Sequence, residues 1–156
     1  MVCAQDHDQI GNRVLGDRLP PELLRLASAV VLFSAQTPLL FMGEEYGEPH
    51  PFRYFTDHHD SSAADAAQEG RKREFAAYLG FTGALPDPQA AETFEVSKLS
   101  RRERPGVRDH YRRLLALRRT LPRELQVRVD GEVLTMRRGG AELAVDFAAK
   151  TLDLCV

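Results

Sequence analysis

The segment Asp6-His7-Asp8-Gln9-Ile10-Gly11-Asn12 sets two carboxylates around an imidazole and follows them with two amides and a glycine. An ionised carboxylate stabilises positive charge developing on a substrate and accepts hydrogen bonds from sugar hydroxyls, and a histidine beside it donates to a ligand hydroxyl. Asp8 and His7 have the side chains for that work. On spacing alone a plainer reading stays open, in which Asp8 or Asp6 accepts main-chain N–H groups and caps a turn. Glu44 and Glu45 form a second acidic pair, with a structural or substrate-contact role. Asp57 with His58-His59-Asp60 has metal-ligand side chains, but adjacent histidines point apart and no further ligand set accompanies them, so no metal site is expected. Tyr46, Phe52, Tyr54 and Phe55 either stack on sugar faces or pack the segment that carries them.

The elements that must position these groups follow from periodicity. Met1 to Ala4 is short and apolar and suits the end of a strand. Pro20-Pro21-Glu22 is a helix start, and Leu23, Leu24, Leu26, Ala27, Val30, Val31 and Phe33 continue at helical spacing, which predicts a helix over 21–34. Residues 37–43 are an apolar run between proline and glycine, expected to be a strand buried on both faces. Residues 44–60 exceed the usual connection of about 4 to 6 residues, and their aromatic content argues for an ordered, functional loop. A surface helix is expected over 61–79, capped by Asp60 or Ser61 and weakened at Gly70, with irregular chain over 81–104 and a second amphipathic helix over 106–120 closed by Pro122. Beyond Pro122, Leu125-Val127-Val129, Val133-Leu134-Met136, Leu143-Val145-Phe147 and Leu152-Leu154-Val156 alternate apolar with polar around Asp130-Gly131 and Gly139-Gly140, the pattern of antiparallel strands and tight turns.

With 156 residues, 43% hydrophobic and 28% charged, the chain can bury an ordinary core, but a complete (β/α)8 barrel needs roughly 200 residues or more. A net charge of −2 excludes a global field for nucleic acid or anionic lipid, and the basic clusters Arg71-Lys72-Arg73, Arg101-Arg102 and Arg118-Arg119 read as solvated helix faces. No apolar stretch is long enough to span a bilayer, and no secretory leader pattern opens the chain. Cys3 and Cys155 lie at opposite ends without metal spacing, which suits a reducing, cytoplasmic setting.

Residues 7–13, His7-Asp8-Gln9-Ile10-Gly11-Asn12-Arg13, followed by Gly16-Asp17-Arg18-Leu19-Pro20, closely resemble the fourth signature region of the α-amylase family of glycoside hydrolases. TPLLFMGEEYGEPHPFRYFTDHHD at 37–60 resembles the eighth strand of that family's barrel and its following loop. GRKREF, PDPQAAETFEVSKL and YRRLLALRRTLP carry the likeness to about residue 122. The resemblance implies an α/β fold: the last two βα units of a (β/α)8 TIM barrel over 1–122, then the start of an antiparallel β-sandwich domain over 123–156. It also implies hydrolysis of the α-1,4-glucosidic bond next to the trehalose end of maltooligosyl trehalose or a related α-glucan, releasing trehalose, with no metal or organic cofactor.

Carried over by position, the resemblance makes Asp8 the transition-state stabiliser and gives substrate binding to His7, Asp8, Gln9, Ile10, Gly11 and Asn12. Asp6 departs from it, since the family usually has Asn there, and it brings a like charge beside Asp8. The nucleophilic Asp and general-acid Glu of the family belong to earlier barrel strands and match no residue here, which implies an inactive isolated chain. Two alternatives remain in view. One is a glycan-branching relative; the other is a non-catalytic, carbohydrate-binding or structural remnant that self-associates through an open sheet edge at 39–42.

Overall fold

A computed structural model describes residues 1–79 and 84–156. In chain order these residues form β1 (Val2–Cys3), α1 (His7–Gly11), α2 (Pro21–Phe33), β2 (Pro38–Leu39), a 3₁₀ turn at Glu44–Tyr46, α3 (Ser61–Leu79), α4 (Ala91–Ser97), α5 (Val107–Arg118), β3 (Gln126–Asp130), β4 (Val133–Arg138), β5 (Ala141–Asp146) and β6 (Thr151–Cys155). The fold is α/β. Two compact units divide it, one holding residues 1–5, 19–48 and 101–156, the other residues 6–18 and 49–100.

In the first unit β1 and β2 pair in parallel, Val2 with Pro38 and Cys3 with Leu39, and α2 lies in the connection between them. The expected helix over 21–34 is present as α2, with proline in its first turn where no N–H is missed. The strand expected over 37–43 is only two residues long and half-buried. The reason is pairing: among the described residues β2 has β1 as its one neighbour, and that strand is itself two residues long. The remainder of the run turns at Gly43 into the 3₁₀ helix.

The four strands after residue 125 form an antiparallel meander in the order β3-β4-β5-β6. Period-two alternation puts Ala141, Leu143 and Val145 of β5 on one face, all buried, against a core supplied by Leu26, Ala29, Leu32 and Phe33 of α2 and by Tyr111 and Leu114 of α5. Val127 and Val129 pair with Met136 and Leu134 and so belong to the same face, yet they are 55% and 68% exposed. Edge strand β3 lies beyond the cover of the helices. Gly139 turns the β4–β5 hairpin with φ +57, and a Cβ there would meet Pro122 Cδ at 3.0 Å.

The last four carbonyls of α2 would be orphaned in a bare helix end. Here each has a donor: Val30 O accepts from Ser34 N at 3.0 Å, Val31 O from Ser34 Oγ at 2.8 Å, Leu32 O from Arg118 Nη1 at 3.0 Å and Phe33 O from Arg138 Nη1 at 2.8 Å. Arg138, 3% exposed, also donates to Ser34 O, Pro122 O and Leu121 O. The interior thus holds a guanidinium satisfied by carbonyls. Desolvation, with Arg118 nearby, lowers its pKa from the ordinary value.

In the second unit α3 runs unbroken through Gly70 and buries Phe75. Asp60 accepts from Ser62 N at 2.8 Å and from Ser62 Oγ at 2.9 Å, the capping role expected of it, and these bonds pull its pKa below the usual carboxylate value. The irregular chain expected over 81–104 contains a helix, α4, while residues 81–83 of that segment lie outside the described residues. Buried Thr93 anchors α4, donating from Oγ1 to Asp87 O at 2.6 Å. The Pro86 and Pro88 pair masked this seven-residue helix, because prolines just ahead of a helix leave its hydrogen bonds intact.

Arg138→Met keeps an unbranched side chain but leaves four carbonyls without that donor. The expected loss is on the order of 3 kcal/mol in the urea unfolding free energy, with Arg138→Lys intermediate. A change under about 0.5 kcal/mol for the Met variant would show that the carbonyl cluster contributes nothing net.

Candidate functional site

Asp6 to Asn12 form a capped helical turn. Asp6 is the N-cap of α1: its Oδ1 accepts from Asp8 N at 3.0 Å and Gln9 N at 3.1 Å, and Gln9 Oε1 accepts in return from Asp6 N at 2.9 Å. This reciprocal capping box satisfies orphan donors at both residues. The two carboxylates of the segment are therefore separated by task. Asp6 is engaged with main chain, whereas Asp8 projects into solvent with its side chain 76% exposed and Oδ1 3.3 Å from His7 Nε2; His7 is 69% exposed. Such an exposed pair contributes little stability.

The other predicted substrate residues divide by burial. Gln9 is exposed and its amide oxygen is held by the cap; Asn12 is exposed at the C-cap, its N–H bonded to Asp8 O at 2.9 Å. Ile10 is 0% exposed and Gly11 is buried, so their contribution is to seat α1. Gly16, with φ +68, touches the loop that follows: a Cβ would lie 2.5 Å from Phe52 O, and Phe52 N donates to Gly16 O at 2.8 Å. Only glycine permits that approach.

The loop expected to be ordered and aromatic is stitched along its length. Arg18 Nε donates to His50 O at 2.7 Å, Arg53 N to Ser97 Oγ at 3.0 Å, and the Gln89 side chain accepts from His58 N and donates to His58 O at 3.1 and 2.8 Å. Phe55 packs edge-on against Phe52 and Phe94, with centroids 5.7 and 5.1 Å away. Tyr46 is buried and donates to Glu48 Oε2 at 3.0 Å. Tyr54 is 41% exposed. Among the described residues no group of three or more His, Cys, Asp or Glu gathers as metal ligands, His58 to Asp60 included. No described helix is long and apolar enough to cross a membrane.

In the first unit Glu44 is 1% exposed, and its Oε1 accepts from Tyr111 Oη at 3.1 Å. Burial pushes its pKa up to about 7, with Glu45 adding to the rise and hydrogen bonds from the Phe41 main chain, Tyr111 and Gln5 opposing it. The reciprocal effect drives the Tyr111 hydroxyl well above its usual range, again mainly through burial. Gln5, 0% exposed, accepts from Leu19 N at 2.9 Å, so this polar cluster tethers the chain leaving β1 to the chain entering α2. Two features escaped sequence reading. One is the burial of Glu44; the other is Arg71 Nη2 donating to Gly11 O at 2.7 Å, from a basic run that reads as a solvated face.

No protein-family profile matches the sequence. A solved structure from Salmonella typhimurium, described as a candidate alpha amylase, superimposes with a TM-score of 0.74 at 38% identity, covering 91% of this chain and 27% of that one. The likeness is to the amylase class of fold. Among curated proteins the chain is similar to malto-oligosyltrehalose trehalohydrolases. The Rhizobium sp. (strain M-11) enzyme is 40% identical over 99% of this chain, the Deinococcus radiodurans enzyme 43% over 88%, and the Saccharolobus solfataricus enzyme 34% over 99%. The chain spans only 29%, 26% and 28% of those relatives, in their C-terminal portion.

Two outcomes follow. Asn is as good an N-cap as Asp, so Asp6→Asn is expected to leave the urea unfolding free energy within about 0.5 kcal/mol of wild type while Asp6→Ala costs about 1 kcal/mol. A large loss in the Asn variant would mean that the charge of Asp6, not its cap, is what matters. For Glu44 the sign is set by a folded-state pKa raised from 4.5 to about 7. The protonated carboxyl favours the fold, and this contribution is complete below about pH 4.5 and lost as pH rises through about 7, a change on the order of 3 kcal/mol. Glu44→Gln should therefore gain stability relative to wild type at pH 8 but not at pH 4.5, read from paired unfolding curves; a pH-independent difference refutes the assignment.

Proposed function

We propose that this chain forms one wall of the saccharide site of a glycoside hydrolase that cuts the α-1,4 bond next to the trehalose end of maltooligosyl trehalose. What carries the reading is the identity of 34–43% to curated malto-oligosyltrehalose trehalohydrolases across 88–99% of this chain. The placement of His7 and Asp8 side by side in solvent on a rigidly capped turn after β1 adds to it. In this proposal residues 1–122 are the last two βα units of a (β/α)8 barrel and residues 123–156 begin a β-sandwich domain. A site on the turn after a strand's C-terminal end is where such barrels do chemistry.

Cleavage of a glycosidic bond passes through an oxocarbenium-like state. Asp8 supplies a fixed negative charge toward it, and the cap bonds at Asp8 N and Gln9 N hold the main chain that carries this carboxylate. His7 donates to a hydroxyl of the adjoining sugar ring, and Gln9 and Asn12 contact the neighbouring rings from the same turn. The nucleophile and general acid are not matched by any residue of the chain, so the isolated chain holds saccharide without breaking it. The cysteine pattern supports a cytoplasmic setting for this protein.

Titration of the 156-residue chain with maltooligosyl trehalose, alongside an assay for released trehalose, tests the proposal. Expected are binding that weakens about tenfold in Asp8→Asn and Asn12→Ala, and no trehalose. Release by the isolated chain that disappears in Asp8→Asn would overturn the separation of bond-breaking groups from this chain. No binding would remove the glucan reading, and transfer of glucan segments would favour a branching enzyme.

A further inference from the structure

We propose that Arg71 is the positioning residue of α1, clamping the C-terminal end of the turn that carries His7 and Asp8. Its Nη2 donates to Gly11 O at 2.7 Å, while its guanidinium carbon lies 4.5 Å from the ring centroid of Tyr54 and 4.8 Å from that of Phe75. Phe75 is 3% exposed and Tyr54 41% exposed, so the buried ring of α3 fixes the guanidinium and the half-exposed ring of the loop braces it at the surface.

The need for such a clamp follows from length. A five-residue helix is far below what stands alone in water, where roughly 12 to 15 residues are marginal. Its N-terminal end is closed by the Asp6–Gln9 box, and Asp8 O and Ile10 O are taken by Asn12 N and Arg13 N. Gly11 has no side chain to cap its own end, and its carbonyl is the one that Arg71 takes. Asp8 stands three residues before Gly11, about one turn, so a rotation of the helix end about the Asp6 cap carries the Asp8 carboxylate with it. A planar guanidinium can stack on rings while donating in its plane; an ammonium cannot do both in this way. Asp8 as the substrate-facing group is taken from the proposed function.

Hydrogen exchange of single amides in the full chain, with the maltooligosyl trehalose titration run on the same samples, tests the clamp. In Arg71→Met the amides of Ile10 and Asn12 are expected to exchange about tenfold faster or more, the Ser34 amide at the end of α2 to keep its rate, and Arg71→Lys to restore protection only in part. Saccharide affinity falls in step. Equal acceleration at Ser34, or wild-type rates at Ile10 and Asn12, overturns the positioning role. If Arg71→Met fails to fold, Tyr54→Leu at the exposed side of the clamp must show a smaller, α1-confined acceleration; none overturns the proposal. A wild-type chain that binds no saccharide, with α1 still loosened in Arg71→Met, leaves the clamp standing and sinks the functional reading alone.

Discussion

The C-terminal end of α2 is the junction on which the first unit depends. Four carbonyls leave that helix together, and burying them without donors would cost about 1–3 kcal/mol each. Ser34 closes two of them locally, but Leu32 O and Phe33 O are closed by guanidinium groups from α5 and β4, elements more than eighty residues further along the chain. The helix end, the last turn of α5 and the β4–β5 hairpin are thereby fixed by one cluster of hydrogen bonds. The negative end of the α2 dipole meets two positive charges there, which is why no carboxylate has to be buried beside Arg138.

That junction also explains how the polar interior is distributed. Arg118 reaches the carbonyls of Ser34 and Gln36, so the chain entering β2 is held on its way to the 3₁₀ turn. The turn then places Glu44 inside the unit, against Tyr111 of α5. The buried carboxyl accepts from Tyr111 Oη at Oε1 while its Oε2 has no hydrogen-bond partner among the described residues, and burial raises its pKa to about 7, where the neutral form is accessible. Gln5 links this cluster to the main chain at Leu19. The interior of the unit is thus organised by main-chain and side-chain amides around two long polar side chains, with apolar packing filling the space between.

Much of this was legible from residue order where the signal is local and periodic. The spacing of Leu23 to Phe33 marks α2 to within a residue, and Asp130-Gly131 and Gly139-Gly140 mark the hairpins, because period and turn chemistry are both short-range properties. The short elements were not legible. α1 has five residues and no apolar period, and α4 follows prolines, so each depends on caps and on a few distant contacts. The run at 37–43 reads as a buried strand, yet a strand exists only as far as its neighbour does. Arg71 is the sharpest case. In sequence it is one of three basic residues in a row, and only the fold reveals that it faces Gly11 and two rings while Lys72 and Arg73 are exposed.

The same contrast governs the Asp-His-Asp triplet. Composition presents two equivalent carboxylates, whereas the backbone makes them unequal, since a helix start has a place for one acceptor at the cap and the next acidic residue along must point elsewhere. Asp6 takes the cap and is held by two main-chain donors; Asp8, two residues on, keeps its carboxylate for solvent and sits on a main chain that the cap immobilises. An Asn at position 6 would preserve that arrangement, because either side chain presents the oxygen the cap requires. The charge carried by Asp6 is spent on backbone amides, which leaves Asp8 as the carboxylate of the triplet available to a ligand.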